Sequence, residues 1–175
     1  PEPDWPATPD GDQIGLRSEI LANTGVKHMG VVAQRIGGKM LLASVGDDLE
    51  SETVDLMQWK IHSGSAVVCL NGDGKILWRH AFRKQGLRVN TGPWPAFIDM
   101  TGKGDWAVSV CLIEDGGPGK REGYVYLFDA ITGKKKWEYK LQGHDYSGGN
   151  GSCVVDDIDG DGRREIIYGL RNYVA

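Results

Sequence analysis

Asp157-Ile158-Asp159-Gly160-Asp161-Gly162-Arg163-Arg164-Glu165 carries oxygen-bearing side chains at its first, third, fifth and ninth positions and glycines at its fourth and sixth. Calcium takes about six to eight oxygen ligands at about 2.3–2.6 Å, and aspartates on alternate positions converge on an ion only where intervening glycines let the backbone curl. The stretch therefore reads as a short calcium loop. Asp157, Asp159, Asp161 and Glu165 are the expected side-chain ligands, and Arg163 is expected to contribute its backbone carbonyl. A longer loop of about twelve residues, set between helices, would close on a glutamate at its last position, which here is Tyr168. The flanks, Cys153-Val154-Val155 and Ile166-Ile167-Tyr168, are β-branched and aromatic and predict strands. The plainer reading is a turn, since Asp and Gly both tolerate positive φ. A hairpin needs only two such residues, however. Asp156, Asp157, Asp159, Asp161 and Glu165 crowd into ten positions and repel one another without a cation, even beside Arg163 and Arg164.

The loop belongs to a repeat. Gly102 and Gly104 precede Gly160 and Gly162 by one and the same interval, a period of about 58 residues, and at that interval Asp99 falls on Asp157. A second motif keeps step to within a single position: Val67 to Trp78 parallels Tyr124 to Trp137, with Gly74 as far from Gly133 as Trp78 is from Trp137. A fainter copy, Val31 to Val45, aligns Gly38 with Gly104 and has no acidic ligand. Each unit reads as strand, Asp/Gly loop, strand, longer loop, strand, turn and a strand ending in tryptophan. Four-stranded units in series predict an all-β fold, a segment of a β-propeller. Blade one is expected over 31–92, blade two over 93–150, and the first half of blade three over 151–175. Residues 1–30 form a lead in which Leu16 to Ala22 could add strands to a neighbouring blade. Two and a half blades do not close a ring of about four to eight. Further chain or partner subunits are expected to complete it, with open blade edges as the route to a homo-oligomer or filament. The chain opens on Pro1 and shows no leader pattern, as expected of a processed product or a fragment.

Composition agrees with many short strands. Glycine supplies 26 of 175 residues, about twice its usual share, in scattered turn-like dipeptides. With 40% apolar and 25% charged residues the chain resembles an ordinary globular protein, and no apolar run approaches the roughly 18 residues of a membrane-spanning helix. The net charge of −4 and the lack of a basic stripe interleaved with aromatics argue against nucleic acid as a partner. Lys134-Lys135-Lys136 reads as a solvated strand edge that discourages edge pairing. Cys69, Cys111 and Cys153 are odd in number and lack metal-ligand spacing, so each reads as a small buried hydrophobe; a Cys111–Cys153 bridge between neighbouring blades is the alternative.

Other candidates are thinner. The second Asp/Gly loop keeps oxygens at Asp99 and Thr101 but sets Lys103 where the third carboxylate would stand. It is expected to hold no calcium, with Lys103 pairing with Asp99 or Asp105. The loop Asp47 to Ser63 is acidic, longer than its counterpart, and carries Met57, Trp59 and His62. It is a candidate binding surface, or a solvated insertion with one packing aromatic. Trp78 and Trp137 hold equivalent positions and are expected to pack between blades, whereas Trp59 and Trp94 are candidates for stacking on a sugar ring. His28, His62, His80 and His144 are scattered, and no nucleophile, phosphate-loop or zinc motif occurs. Catalysis by this chain alone is not expected.

The Asp157–Glu165 loop with Ile166-Ile167-Tyr168-Gly169 resembles the calcium loops of FG-GAP (integrin-type) and VCBS β-propeller repeats, where the loop joins two strands of a blade. The stretch from His144 to Gly169 is similar to a blade of the calcium-containing rhamnogalacturonan lyases, and Tyr124 to Trp137 resembles the repeat of quinone-dependent dehydrogenase propellers. The first resemblance implies a secreted, cell-surface or periplasmic calcium-binding module with a binding, adhesion or assembly role. The second implies an alternative: a fragment of a lyase acting on pectin-like polysaccharide, with polysaccharide as ligand. A complete lyase pattern would show several calcium loops, and only one of the three copies here is intact.

Overall fold

The runs richest in β-branched and small apolar residues are the runs that pair. The computed structural model describes residues 24–56, 59–62, 64–82, 87–88, 95–115, 121–140, 152–170 and 173–174, and among them every regular element is a strand.

In the first part of the chain, β1 (Val26–Ile36) and β2 (Lys39–Asp48) turn on Gly37–Gly38 and pair antiparallel. A small hairpin, β3 (Thr53–Leu56) and β4 (Trp59–His62), is inserted before β5 (Ser65–Asn71) and β6 (Ile76–Phe82). Sheet one is antiparallel in the order β1-β2-β5-β6. The longer loop of the sequence therefore contains a hairpin; the side chains of Met57, Trp59 and His62 lie outside the described residues, as does Trp94.

Sheet two follows the same plan. β7 (Leu87–Arg88) and β8 (Ala96–Asp99) share one edge of β9 (Trp106–Asp115), and β10 (Arg121–Asp129) and β11 (Lys135–Lys140) follow on the other side. The repeat is visible in the pairing itself. A register shift falls between Cys69 and Leu70 in β5 and again, one repeat later, between Leu127 and Phe128 in β10, and Trp78 pairs with Cys69 as Trp137 pairs with Leu127. The turns match as well: the Asn71 Oδ1 accepts the N–H groups of Asp73 and Lys75, and the Asp129 Oδ1 accepts those of Ile131 and Thr132. Such side-chain caps let Asn and Asp organise a turn that the backbone alone would hold loosely. Sheet three comprises β12 (Ser152–Asp156), β13 (Glu165–Leu170) and β14 (Tyr173–Val174). The strands expected at Leu16 to Ala22 fall outside the described residues.

The sheets stack as layers. Leu41, Ala43, Val45, Val67, Cys69, Trp78 and Phe82 of sheet one form a single core with Val108, Val110, Leu112, Tyr126 and Phe128 of sheet two. The opposite face of sheet two buries Ile98, Ala107 and Leu127 against Val155 and Ile166 of sheet three. Sheet two is thus covered on both sides, which is why β9 and β10 are nearly continuous apolar runs instead of alternating ones. The tryptophan expected to end its strand lies near its start: β6 continues to Phe82, and Trp78, His80 and Phe82 line the seam facing β10.

Candidate metal centre

The Asp157 loop connects β12 to β13, whose pairing runs from Asp156↔Glu165 outward. Antiparallel partners at the mouth of a hairpin place Glu165 beside the start of the loop, although it is the ninth residue of the motif. Asp157 then shapes the interior. Its Oδ1 accepts the Gly160 N–H at 2.8 Å and its Oδ2 accepts the Gly162 N–H at 2.9 Å, while Gly160 and Gly162 adopt φ of +77° and +85°. The Glu165 Oε2 closes the loop by accepting the Ile158 N–H at 2.9 Å. The Asp159 Oδ1 accepts the Asp161 N–H, and the Asp161 Oδ1 accepts the Arg163 N–H.

Asp157, Asp159 and Glu165 each present a carboxylate oxygen, all within 4.8 Å of one another. Two oxygens on opposite sides of calcium, at about 2.3–2.6 Å each, would lie about 4.6–5.2 Å apart, so this spacing suits a shared cation. The donor set, all carboxylate oxygen, suits a hard cation over a soft one. Of the expected ligands, these three are brought together. Asp161 lies outside the group, its Oδ1 turned to the Arg163 backbone.

The second loop repeats the scaffold without the acidic cluster. The Asp99 Oδ2 accepts the Gly104 N–H at 2.9 Å, as Asp157 does from Gly162, and the Asp99 Oδ1 accepts the Thr101 N–H at 3.3 Å. Desolvation works against the charged Asp99 carboxyl, but the N–H groups of Gly104, Thr101 and Gly102, with Arg164 nearby, outweigh it and hold the group below its ordinary range. The position of Glu165 is taken in this loop by Ala107, buried in β9. The ion pairs differ from expectation. Asp105 pairs with Lys136 of β11, and the Lys103 N–H donates to the Thr101 hydroxyl. β11 lies across the sheet from the loop, so sequence distance hid this partner.

One residue links the loops. The Arg164 Nη1 donates to the Asp99 carbonyl at 3.2 Å, and its guanidinium packs over Gly102. The sequence alone gives Arg164 only a charge-neutralising place. Nor does it point to the buried Asp48 carboxylate on β2, whose Oδ1 accepts from the Arg79 guanidinium and from the Glu50 N–H. Glu50 also pairs with Arg79, at 3.3 Å. Arg79 follows the landmark Trp78, but nothing in the spacing connects it to residue 48.

Elsewhere, burial pushes the Cys69 thiol up to about 12 despite a backbone hydrogen bond from Leu70, and its Sγ lies 3.6 Å from the Ala130 carbonyl. That suits a packing role. Cys111 is buried in β9, and the Cys153 side chain lies outside the described residues, as do those of His28, His62 and His144. No helix among the described residues is long and apolar enough to cross a membrane. No family model, curated protein or solved structure matches the chain.

Proposed function

We propose that the chain is a calcium-binding module in which successive four-stranded sheets are blades of a β-propeller and the Asp157 loop is its metal centre. The observation that carries the reading is the convergence of Asp157, Asp159 and Glu165 within 4.8 Å in a loop whose backbone Asp157 already organises. Asp157, Asp159 and Glu165 would hold the ion, with Asp161 and the Arg163 carbonyl as the further ligands the motif suggests. Bound calcium supplies positive charge and a cross-link; the protein's residues supply the curl, the closed hairpin and the contact to the neighbouring loop. The role is binding, adhesion or assembly, in a secreted or cell-surface setting where calcium is abundant. Extracellular modules bind calcium at about 10⁻⁴ to 10⁻³ M.

The test is calorimetric titration of chelator-stripped protein with calcium, and with magnesium as comparison. One calcium site is expected, lost in Asp157→Asn and in Glu165→Gln. Absence of binding up to about ten times the upper end of that range would sink the proposal.

A further inference from the structure

Trp78 shows how one sheet of this chain grips the next. Its ring is buried (9% exposed), its Nε1–H donates to the Ala130 carbonyl at 3.0 Å, and it lies over Gly133, where an added Cβ would come within 2.4 Å of the indole. The receiving surface is the β10–β11 turn of sheet two: a carbonyl that accepts the indole N–H, followed by a glycine at φ +69°. Trp137 is the same residue one repeat later. It pairs with Leu127 as Trp78 pairs with Cys69, and cross-strand partners share a face. Leu127 packs toward Val155 and Ile166, so Trp137 faces the side of sheet three. Yet Trp137 is 43% exposed and Tyr139, stacked on it with rings 5.6 Å apart and 5° from parallel, is 44% exposed. A plug of this kind is present without its socket.

The structure also shows where the socket would attach. In sheet two, β10 enters opposite β9 with Tyr124↔Leu112 and Val125↔Cys111. In sheet three, β14 enters opposite β13 with Tyr173↔Leu170 and Val174↔Gly169, and Leu170 and Gly169 follow Leu112 and Cys111 by the interval that separates Gly160 from Gly102. Tyr173-Val174 thus stands in the register of Tyr124-Val125. Continued as β10 continues, β14 would run to a turn equivalent to Asp129–Gly133.

We propose that the Trp137–Tyr139 face is the docking site for a β-hairpin of this same repeat, carried on β14, whose turn offers a carbonyl to the indole N–H and a glycine beneath its ring. The inference rests on reading the sheets as repeated blades and is independent of calcium. The test compares the 175-residue chain with one in which residues 127–140 are repeated after Ala175, the copied Trp137 replaced by phenylalanine. Oxidative footprinting with mass spectrometry reads each tryptophan separately, and amide exchange reads the pairing of β13 with β14.

In the unextended chain Trp137 should oxidise at least about tenfold faster than Trp78. Extension should bring it down to the rate of Trp78, and valine at the copied Gly133 should restore it. If the added strands pair with β13 but Trp137 stays reactive, the docking proposal is wrong and the blade reading stands; if they do not pair, both fall. Protection of Trp137 in the unextended chain, by rising protein concentration or by a pectin-type polysaccharide, would overturn the hairpin in favour of a second copy or a sugar.

Discussion

At the scale of single residues, the closest fit in the described molecule is between Gly133 and Trp78. Gly38 and Gly133 adopt positive φ, +79° and +69°, but a Cβ at Gly38 meets nothing within 4 Å whereas one at Gly133 runs into the indole at 2.4 Å. Gly38→Ala should therefore cost about 1 kcal/mol, the left-handed penalty alone, and Gly133→Ala about 2–4 kcal/mol once overpacking is added. Chemical denaturation of the two variants checks the difference; equal losses would mean that the seam yields freely. Trp78→Phe keeps most of the packing but removes the buried N–H donor to Ala130, an expected loss of about 1–3 kcal/mol. The glycine and tryptophan positions were legible in the sequence because both recur at the same interval, and recurrence marks positions where few other residues fit. Their contact was not. The residues that meet are Trp78 of one repeat and Gly133 of the next, while the alignment pairs Trp78 with Trp137.

Elements were legible where a run was apolar on both faces, as in Val67 to Leu70 or Val108 to Leu112, and less so where polar residues share a strand with core ones. β6 is the case in point: Arg79 and His80 interrupt its apolar pattern, so the pattern ends the strand at Trp78, short of its true end at Phe82. His80 packs between Phe82 and Phe128 at centroid distances of 4.7 and 4.9 Å. Burial, helped by Lys135, holds its imidazole below the ordinary range. In the unfolded chain it titrates at about 6.5. The unfolded state therefore takes up the proton first, and stability should fall as pH drops below that value toward the folded-state pKa. Asp129 acts in a lower window. Desolvation opposes its ionisation, but the Thr132 N–H and hydroxyl, the Ile131 N–H and Lys136 together depress it, so its contribution is present above the ordinary carboxylate range and lost only in stronger acid. Melting His80→Phe beside the parent at pH 7.5 and 5.5 separates the two, and the variant should lose most of the drop seen in the parent. On the same strand, Arg79 ties β6 to the buried Asp48 and to Glu50 at the base of the β3–β4 insertion. Asp48→Ala leaves a guanidinium that is only slightly exposed with Glu50 alone, and should cost about 3–5 kcal/mol in denaturant midpoint measurements.

For the whole molecule the question is how a surface loop on sheet three affects the layer beneath it. Calcium at ten times its dissociation constant would stabilise the folded chain by about 1.4 kcal/mol wherever it binds, because only the folded loop gathers the carboxylates. That linkage says nothing about where the stabilisation goes. Arg164 gives it a route: the residue directly before the ligand Glu165 donates to the Asp99 carbonyl and covers Gly102, so ordering the metal loop holds its guanidinium against the neighbouring one. The repeat makes the asymmetry intelligible, since loop 99–105 shares the backbone scaffold of the metal loop but has Lys103 and Ala107 where that loop has Asp161 and Glu165. It is held by an arginine from outside where its counterpart would be held by an ion. Arg164→Ala should therefore leave calcium affinity within about threefold, because no proposed ligand is touched and surface charge effects are small. It should also abolish the calcium-dependent rise in amide protection at Gly102 and Gly104. Exchange measured with and without calcium in parent and variant decides this: protection that persists in Arg164→Ala would show that the two loops are coupled through the packing of Val155 and Ile166 on Ile98 and Leu127 instead.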